Sequence, residues 1–248
     1  MMKTASREEQ IKALSKISKA IASDLGLKDI LRLVVTVTAQ AMGSNTCSIM
    51  LLNEKTNELV IMATQNISEE YIKKAPLKFG EGIAGRAAKL NKPIVVKDVT
   101  KEKEYKYRDI AQKQGLKSLL CMPLAVKGKV TGVINCYTSH AYDFKDTDIE
   151  ILTAIANQAA VAIENAELLT KSQVIQEELE ERKKLERAKG ILMKEGGISE
   201  EEAYLKIRKY SMDTRKSMGE VADAIIMMEG MKRNTNKQIE NQKGGYKR

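Results

Sequence analysis

The stretch DTDIEILTAIANQAAVAIENAELLTKSQVIQEELEERKKLERAKGILMKE, residues 146–195, contains no proline, and its only glycine is Gly190. Apolar residues recur in it at three- and four-residue steps: Ile149, Leu152, Ile155, Ala156, Ala159, Ile163, Ala166 and Leu169, then Ile175, Leu179, Leu185, Ala188 and Leu192. That spacing sets them along one side of an α-helix. Roughly fifty residues at this rise make a rod of about 75 Å, far longer than an ordinary globular helix. One small domain cannot bury so long a seam, so the reading predicts pairing with a second copy of the chain. The part before the rod reads as a sensor and the part after it as an output.

The chain of 248 residues is long enough for one large domain or two modest ones. Apolar content of 43% and charged content of 30% are ordinary for a folded soluble protein. No uninterrupted apolar run reaches membrane-spanning length, and the polar N-terminus, Met1 to Gln10, lacks the apolar core of a signal peptide. The expectation is a cytoplasmic protein without a membrane partner. Cys47, Cys121 and Cys136 are too few and too scattered for a disulfide framework or a zinc site. The sole histidine, His140, sits in the turn-like Thr138-Ser139-His140-Ala141 and reads as a surface residue. No catalytic residue and no metal site is therefore assigned, the cofactor is left open, and the chain is read as not an enzyme. A net charge of +9 favours a polyanionic partner. The excess is spread over both halves, so a nucleic-acid surface would have to arise from local clustering.

Ahead of the rod, Glu8 to Met42 reads as helix with a break at Asp24-Leu25-Gly26. Thr46–Leu52 and Glu58–Thr64 read as strands around the polar turn Asn53-Glu54-Lys55-Thr56-Asn57. A short helix is expected at Ser68–Lys74, ending before Pro76. In Phe79-Gly80-Glu81-Gly82-Ile83-Ala84-Gly85-Arg86-Ala87-Ala88 the glycines precede and enter a helix. Amides free near the helix N-terminus could cradle an anion, but the run does not follow an expected strand as a dinucleotide site requires, so close packing of loop on helix is the favoured reading. Pro93–Val96 is a short strand leading to Asp98, and Lys101–Gln114 a charged loop with a helical turn. Leu116–Val126 and Val130–Thr138 read as strands joined at Gly128-Lys129. Glycine at the first central position favours a type II′ hairpin, which pairs Lys127 with Val130 and sets Cys121 opposite Cys136, as two buried thiols or a redox pair.

Phe79-Gly80-Glu81-Gly82-Ile83-Ala84-Gly85, Pro93-Ile94-Val95-Val96-Lys97-Asp98 and Ser118-Leu119-Leu120-Cys121-Met122-Pro123-Leu124 resemble a GAF domain. So does the hairpin ending in Val130-Thr131-Gly132-Val133-Ile134, followed by Phe144–Ala166. The resemblance implies an antiparallel sheet with helices packed on one face, a small-molecule pocket on the other, and flanking helices that form a dimer bundle. On that basis Phe79, Gly80, Gly82, Asp98, Cys121 and Cys136 are the candidate ligand-binding residues. Asn53-Glu54-Lys55-Thr56-Asn57 departs from the cyclic-nucleotide-binding signature. There is no bilin-type Cys-His pair, and the cysteine spacing is not that of the methionine-sulfoxide-reducing members.

Beyond Leu169 the charges fall in blocks. Glu177, Glu178, Glu180 and Glu181 are followed by Arg182, Lys183, Lys184, Arg187, Lys189 and Lys194, opposed only by Glu186. Lys183, Arg187, Gly190 and Lys194 share a stripe opposite Leu185–Leu192, the segregation a helix needs to present one face to phosphates. Gly196-Gly197 stops the rod. Ser199-Glu200-Glu201-Glu202 and Ser217-Met218-Gly219-Glu220 are capping boxes that open two further helices. Ala203, Ile207 and Tyr210 are expected inside on the first, and Val221, Ala224, Ile225 and Met228 on the second; Asn234–Arg248 reads as disordered.

This segment resembles the ANTAR domain of bacterial transcription antiterminators. The resemblance lies in Arg187-Ala188-Lys189-Gly190-Ile191-Leu192-Met193, in Ser199 with Glu202-Ala203-Tyr204 and Ile207-Arg208, and in Tyr210-Ser211-Met212-Asp213 with Arg215. It continues through Val221-Ala222 and Ile225-Ile226. It implies binding to hairpins in leader mRNA that blocks terminator formation, with Lys183, Arg187, Lys189, Lys194, Tyr204, Arg208 and Arg215 as the RNA-binding residues. Many members carry a phosphorylated receiver domain upstream, whereas here a GAF-like sensor stands in that place.

The complete expectation is an α+β chain: a GAF-like sensor at 8–166, a coiled-coil linker helix at 167–181, a three-helix ANTAR unit at 182–232 and a tail at 233–248. It acts as a homodimer joined through the long helices, with a small-molecule ligand in the sensor. Two other classes stand beside it: a DNA-binding regulator using the same helices, and a redox enzyme built on Cys121 and Cys136.

Overall fold

Strands buried on both faces and helices with one apolar stripe build the first of two units, Met1–Thr170. The computed structural model describes residues 7–21, 23, 25–44, 46–66 and 75–244. The helix expected at Ser68–Lys74 lies outside the described residues. Helices α1 (Arg7–Ile21) and α2 (Leu27–Ala41) lead into β1 (Thr46–Asn53) and β2 (Glu58–Gln65). Then come β3 (Leu77–Lys78), α3 (Gly82–Leu90), β4 (Ile94–Val96), α4 (Arg108–Lys113), β5 (Leu119–Val126) and β6 (Lys129–Tyr137). The long helix α5 spans Asp146–Gly196, followed by α6 (Glu200–Thr214) and α7 (Met218–Gly244). The expected α+β class is the one observed.

The strands form one sheet in the order β3-β2-β1-β6-β5-β4, with every neighbouring pair antiparallel. Because side chains alternate between the faces, β5 sends Leu120, Met122 and Leu124 to one core, shared with α1, α2 and α5. It sends Leu119 and Cys121 to the other, shared with α3 and Tyr105. On that second side α3 lies tight on the strand before it. A Cβ at Gly85 would meet the Lys78 carbonyl oxygen at 2.6 Å and the Gly80 nitrogen at 2.9 Å, so the glycine run serves close packing. The two-residue β3 precedes the run, although no strand was expected there.

The hairpin between β5 and β6 differs from the expected one. Its central residues are Lys127 and Gly128, both at positive φ (50° and 83°), which is a type I′ turn, and Val126 pairs with Lys129. With the irregularity at Leu124/Ala125, Cys121 stands opposite Asn135, and Leu120 opposite Cys136. A one-residue slip exchanges the faces, so Cys121 and Cys136 belong to different cores. Cys136 instead meets Cys47 across the β1–β6 pairing, with the sulfurs 3.3 Å apart. The hydrogen bond shared with Cys47, then burial, pushes the Cys136 thiol up; burial alone does so for Cys121. A thiol held neutral is a poor nucleophile.

At the start of α5 the buried Asp148 accepts hydrogen bonds from the Lys145 amide (2.8 Å) and the Tyr142 hydroxyl (3.0 Å). The seam Leu152, Ile155, Ala156, Ala159 and Ile163, from which pairing with a second copy was inferred, is buried at 0–1% exposure within this one chain. Its partners are the residues of α2 and the first sheet face. The large apolar side chains left exposed on α5 are Val161, Leu168, Leu169, Val174, Ile175, Leu179 and Met193.

Asp98 ties the segment after β4 to the approach of β5. Its carboxylate accepts from the Thr100 hydroxyl at 2.6 Å and amide at 3.0 Å and pairs with Lys117 at 2.8 Å. The hydrogen bond from Lys117, then that from the Thr100 hydroxyl, lowers its pKa to about 2. A carboxyl whose folded pKa lies below its unfolded value, about 4, contributes stability above that value and loses it as pH falls through the folded pKa. Asp98→Asn should therefore lower the melting temperature at pH 7, and its difference from the parent should shrink between about pH 4 and pH 2. Melting curves across that range test this; a pH-independent difference would contradict it.

Candidate nucleic-acid interface

The second unit, Lys171–Arg248, is built on a small core. Ala188 of α5, Ala203 and Ile207 of α6, and Val221 and Ala222 of α7 are each exposed by 3% or less. Leu185, Leu192, Met218, Ile225 and Ile226 pack around it. Both expected capping boxes form. The Ser199 hydroxyl accepts from the Glu202 amide at 3.2 Å while the Glu202 carboxylate accepts from the Ser199 amide at 2.8 Å. Glu220 and Ser217 repeat the arrangement at 2.7 and 3.1 Å. Those amide bonds hold both carboxyls below their ordinary pKa. Gly197, at φ 58°, follows the end of α5, where left-handed backbone favours glycine.

A core made mostly of alanine and branched residues leaves large side chains outside. Tyr210, expected inside, is 60% exposed, as is Met228; Ala224 is exposed too. The periodicity had placed three core residues on α6 and four on α7, but the small Ala203 and Ala222 bring the helices together on narrower stripes. The last helix also runs on to Gly244, where a tail from residue 233 was expected to be disordered. Its sequence to that point has no proline.

The α5 cations expected to bind RNA occupy different sides of that helix. Arg187 and Lys194 stand two turns apart on α5, flanking a hollow of about 240 Å³ lined also by Gly190, Ile191, Glu195, Glu229 and Arg233. Lys189 lies 200° around the helix from Arg187 at 100° per residue. It is only 7% exposed, and its ammonium pairs with Glu186 at 2.8 Å and Glu200 at 2.7 Å. Hydrogen bonds to Glu186, then to Glu200, raise its pKa, and Lys189 lowers that of Glu200. It ties α5 to the first turn of α6. Removing it as Lys189→Ala should lower the melting temperature of this unit, with a smaller change in the salt dependence of RNA binding than removal of an exposed cation. Melts and salt titrations run together check both.

Beside Lys189 a second hollow, of about 370 Å³, is lined by Glu200, Glu201 and Tyr204. Tyr204 is 38% exposed. Arg208 follows one turn on, and Arg215, which ends α6 at φ 55°, completes an exposed stripe. Lys183 is exposed and pairs with Glu180 at 2.9 Å. Arg233 is the cation the sequence reading missed, because the helix carrying it was taken to stop one residue earlier.

The sensor candidates are likewise dispersed. Of the six, only Gly82 lines the small cavity of the second core, about 20 Å³ beside Tyr105, Asn135 and Tyr137, room for about one water molecule. Gly80 lies in the turn before α3 at φ 89°, Phe79 packs beside the second core, and Asp98 is engaged by Lys117. Cys121 is in the second core and Cys136 in the first. The residue overlooked is Asn135, 1% exposed, whose Nδ2 donates to the Ser48 hydroxyl at 3.3 Å and whose Oδ1 accepts nothing among the described residues. A polar amide inside Val133-Ile134-Asn135-Cys136 was the available signal. Among the described residues no group of three metal-ligating side chains occurs, and no helix is long and apolar enough to cross a membrane.

Comparison with known proteins matches residues 24–164 to the GAF domain and residues 173–226 to the ANTAR domain. A phosphoenolpyruvate-dependent phosphotransferase system protein of Escherichia coli is 24% identical over 155 residues, 62% of this chain and 21% of that protein. The nitrate regulatory protein of Klebsiella oxytoca is 39% identical over 64 residues, 26% of this chain and 16% of that one. The chain thus spans about a fifth or less of these curated relatives. Among solved structures, the GAF domain of a phosphoenolpyruvate-protein phosphotransferase from Coxiella burnetii is similar in fold. Its TM-score is 0.59 at 24% identity, covering 67% of this chain and 99% of that one.

Proposed function

Because the chain belongs to the GAF domain family and carries an ANTAR domain behind that fold, we propose that it is a signal-responsive antitermination regulator. It binds hairpins in leader RNA and keeps the terminator from forming, in the cytoplasm where the transcript is made. The observation that carries this reading is the exposed stripe of α6, where Tyr204 offers a ring and Arg208 a planar guanidinium, with Arg215 beyond. Sequence-specific RNA readers stack splayed loop bases on such groups and hold the stem through phosphates. The alternative, a DNA reader, would place the third helix in the major groove. Before Lys232, α7 carries Glu220, Asp223 and Glu229 and no cation, and Asp223 is paired with Lys184 at 2.8 Å. That composition repels a phosphate backbone.

The input is assigned to the cavity beside Asn135, whose unpartnered oxygen supports a polar ligand group there. At its present size a metabolite could enter only with displacement of the segment that carries Tyr105. The regulator works as a homodimer through α5.

A gel shift with a two-hairpin leader RNA and duplex DNA of equal length tests the reading: binding to RNA and none to DNA is expected, and equal or tighter binding to DNA sinks it. Tyr204→Ala should weaken RNA binding by about 1–3 kcal/mol, the scale of one lost base–aromatic stack. The salt slope and melting temperature should stay unchanged, since the ring lies outside the core.

A further inference from the structure

We propose that the hollow floored by Gly190 between α5 and α7 seats one strand of the bound RNA, its sugar–phosphate backbone lying on bare helix backbone between Arg187 and Lys194. The inference rests on the RNA reading above and adds a second contact surface to it, on the side of α5 away from Lys189 and Tyr204.

Its starting point is a glycine with no internal reason. Glycine in a helix interior is destabilising relative to alanine, yet a Cβ built at Gly190 meets nothing within 4 Å. None of the described residues needs that space. Gly230, next to Glu229 on α7, is open in the same way. Close approach of something outside the chain to the backbone is the remaining use of such a residue.

The charges around it identify the approaching group. Each acidic side chain of the hollow is already engaged by a cation of α7: Glu229 by Arg233, and Glu195 by Lys232 at 3.1 and 3.2 Å. Arg187 and Lys194 make no ion pair among the described residues. They stand about 10 Å apart along the axis, two turns of one face, with Gly190 between them. Two unengaged cations at that separation, over a floor without a side chain, suit an extended polyanion rather than a single small anion. A guanidinium and an ammonium that displace counterions from phosphates supply affinity without sequence information. The stacking groups of α6 remain free to read the loop bases.

The test uses the full-length protein and a hairpin RNA across a salt series. Gly190→Ala should melt at or above the parent temperature, since alanine favours the helix, yet bind about tenfold more weakly, the scale of one lost contact, with its salt slope preserved. Arg187→Ala and Lys194→Ala should each flatten the salt slope by roughly 0.7–0.9. If the parent and all three variants bind within twofold of one another while Tyr204→Ala is impaired, the hollow is not an RNA seat and the RNA reading stands. If the parent itself binds no hairpin, the reading and this inference fall together.

Discussion

Gly132→Ala should unfold the sensor at a melting temperature well below that of the parent. Gly132 of β6 lies in register with Leu51 on one side and Leu124 on the other, so it sits between two paired strands near the middle of the sheet. A Cβ there would stand 2.3 Å from the Met50 carbonyl oxygen, 2.9 Å from Leu51 Cδ2 and 3.1 Å from Leu51 Cα. Two of these three atoms are backbone. A side chain could rotate away, but the Met50 carbonyl can retreat only if β1 separates from β6, which breaks ladder hydrogen bonds along the pairing. We expect a cost of roughly 3 kcal/mol or more, the upper end for overpacking. For a unit of this size that is a fall of about 10 °C in melting temperature. Gly128→Ala is the control. It sits at φ 83° with open space around it, so only the strain of left-handed backbone applies, about 1 kcal/mol. Circular-dichroism melts of the two variants decide the matter, and a Gly132→Ala protein melting within about 2 °C of the parent would show that the sheet yields where the geometry says it cannot.

What could be read before any coordinates was whatever depends on neighbours a few residues away. The extent of α5, its stop at Gly196-Gly197 and the two capping boxes all follow from local chemistry, and all are present. The pairing of β5 with β6 does not. Lys127 can take positive φ at modest cost, so the turn began one residue earlier than glycine alone suggested, and that single step put Cys136 against Cys47 instead of Cys121. Lys189 shows the same limit at the candidate site. Its cationic character was plain, but the carboxylate that claims it, Glu200, is eleven residues on and reaches it only once α6 folds back. Charge on a helix says that a partner exists and leaves open whether that partner is RNA or the protein's own next helix. Gly190 was visible as a residue and counted as part of a cationic stripe. Only the open space above it shows that none of the described residues packs where the side chain is missing.

Leu168→Glu combined with Ile175→Glu should convert a dimer into a monomer and lower affinity for a two-hairpin RNA by about 10²- to 10⁴-fold, the range lost when bivalent binding becomes monovalent. Ile155 and Ile163 are buried in their own chain, so replacing them would damage the sensor and say nothing about assembly. Val161, Leu168 and Ile175 are exposed by 38%, 56% and 65%. They recur at seven-residue steps along α5, and Leu179, 45% exposed, comes four residues after Ile175. A seven-residue apolar repeat is the pattern by which two helices supercoil with knobs in holes. Asn165 and Ser172 stand four residues after Val161 and Leu168, at the positions where polar residues fix register at some loss of stability. Glutamates at two facing positions would bring four like charges into the seam of the dimer. The sensor core is untouched by them, so its melting temperature should hold, which separates loss of assembly from loss of fold. Affinity for a single hairpin should change little, because each copy keeps its own α6 stripe. Light scattering at micromolar concentration and titrations with one- and two-hairpin RNAs give the answer. A parent protein that is monomeric, or a double variant that remains dimeric, would remove α5 as the dimer seam.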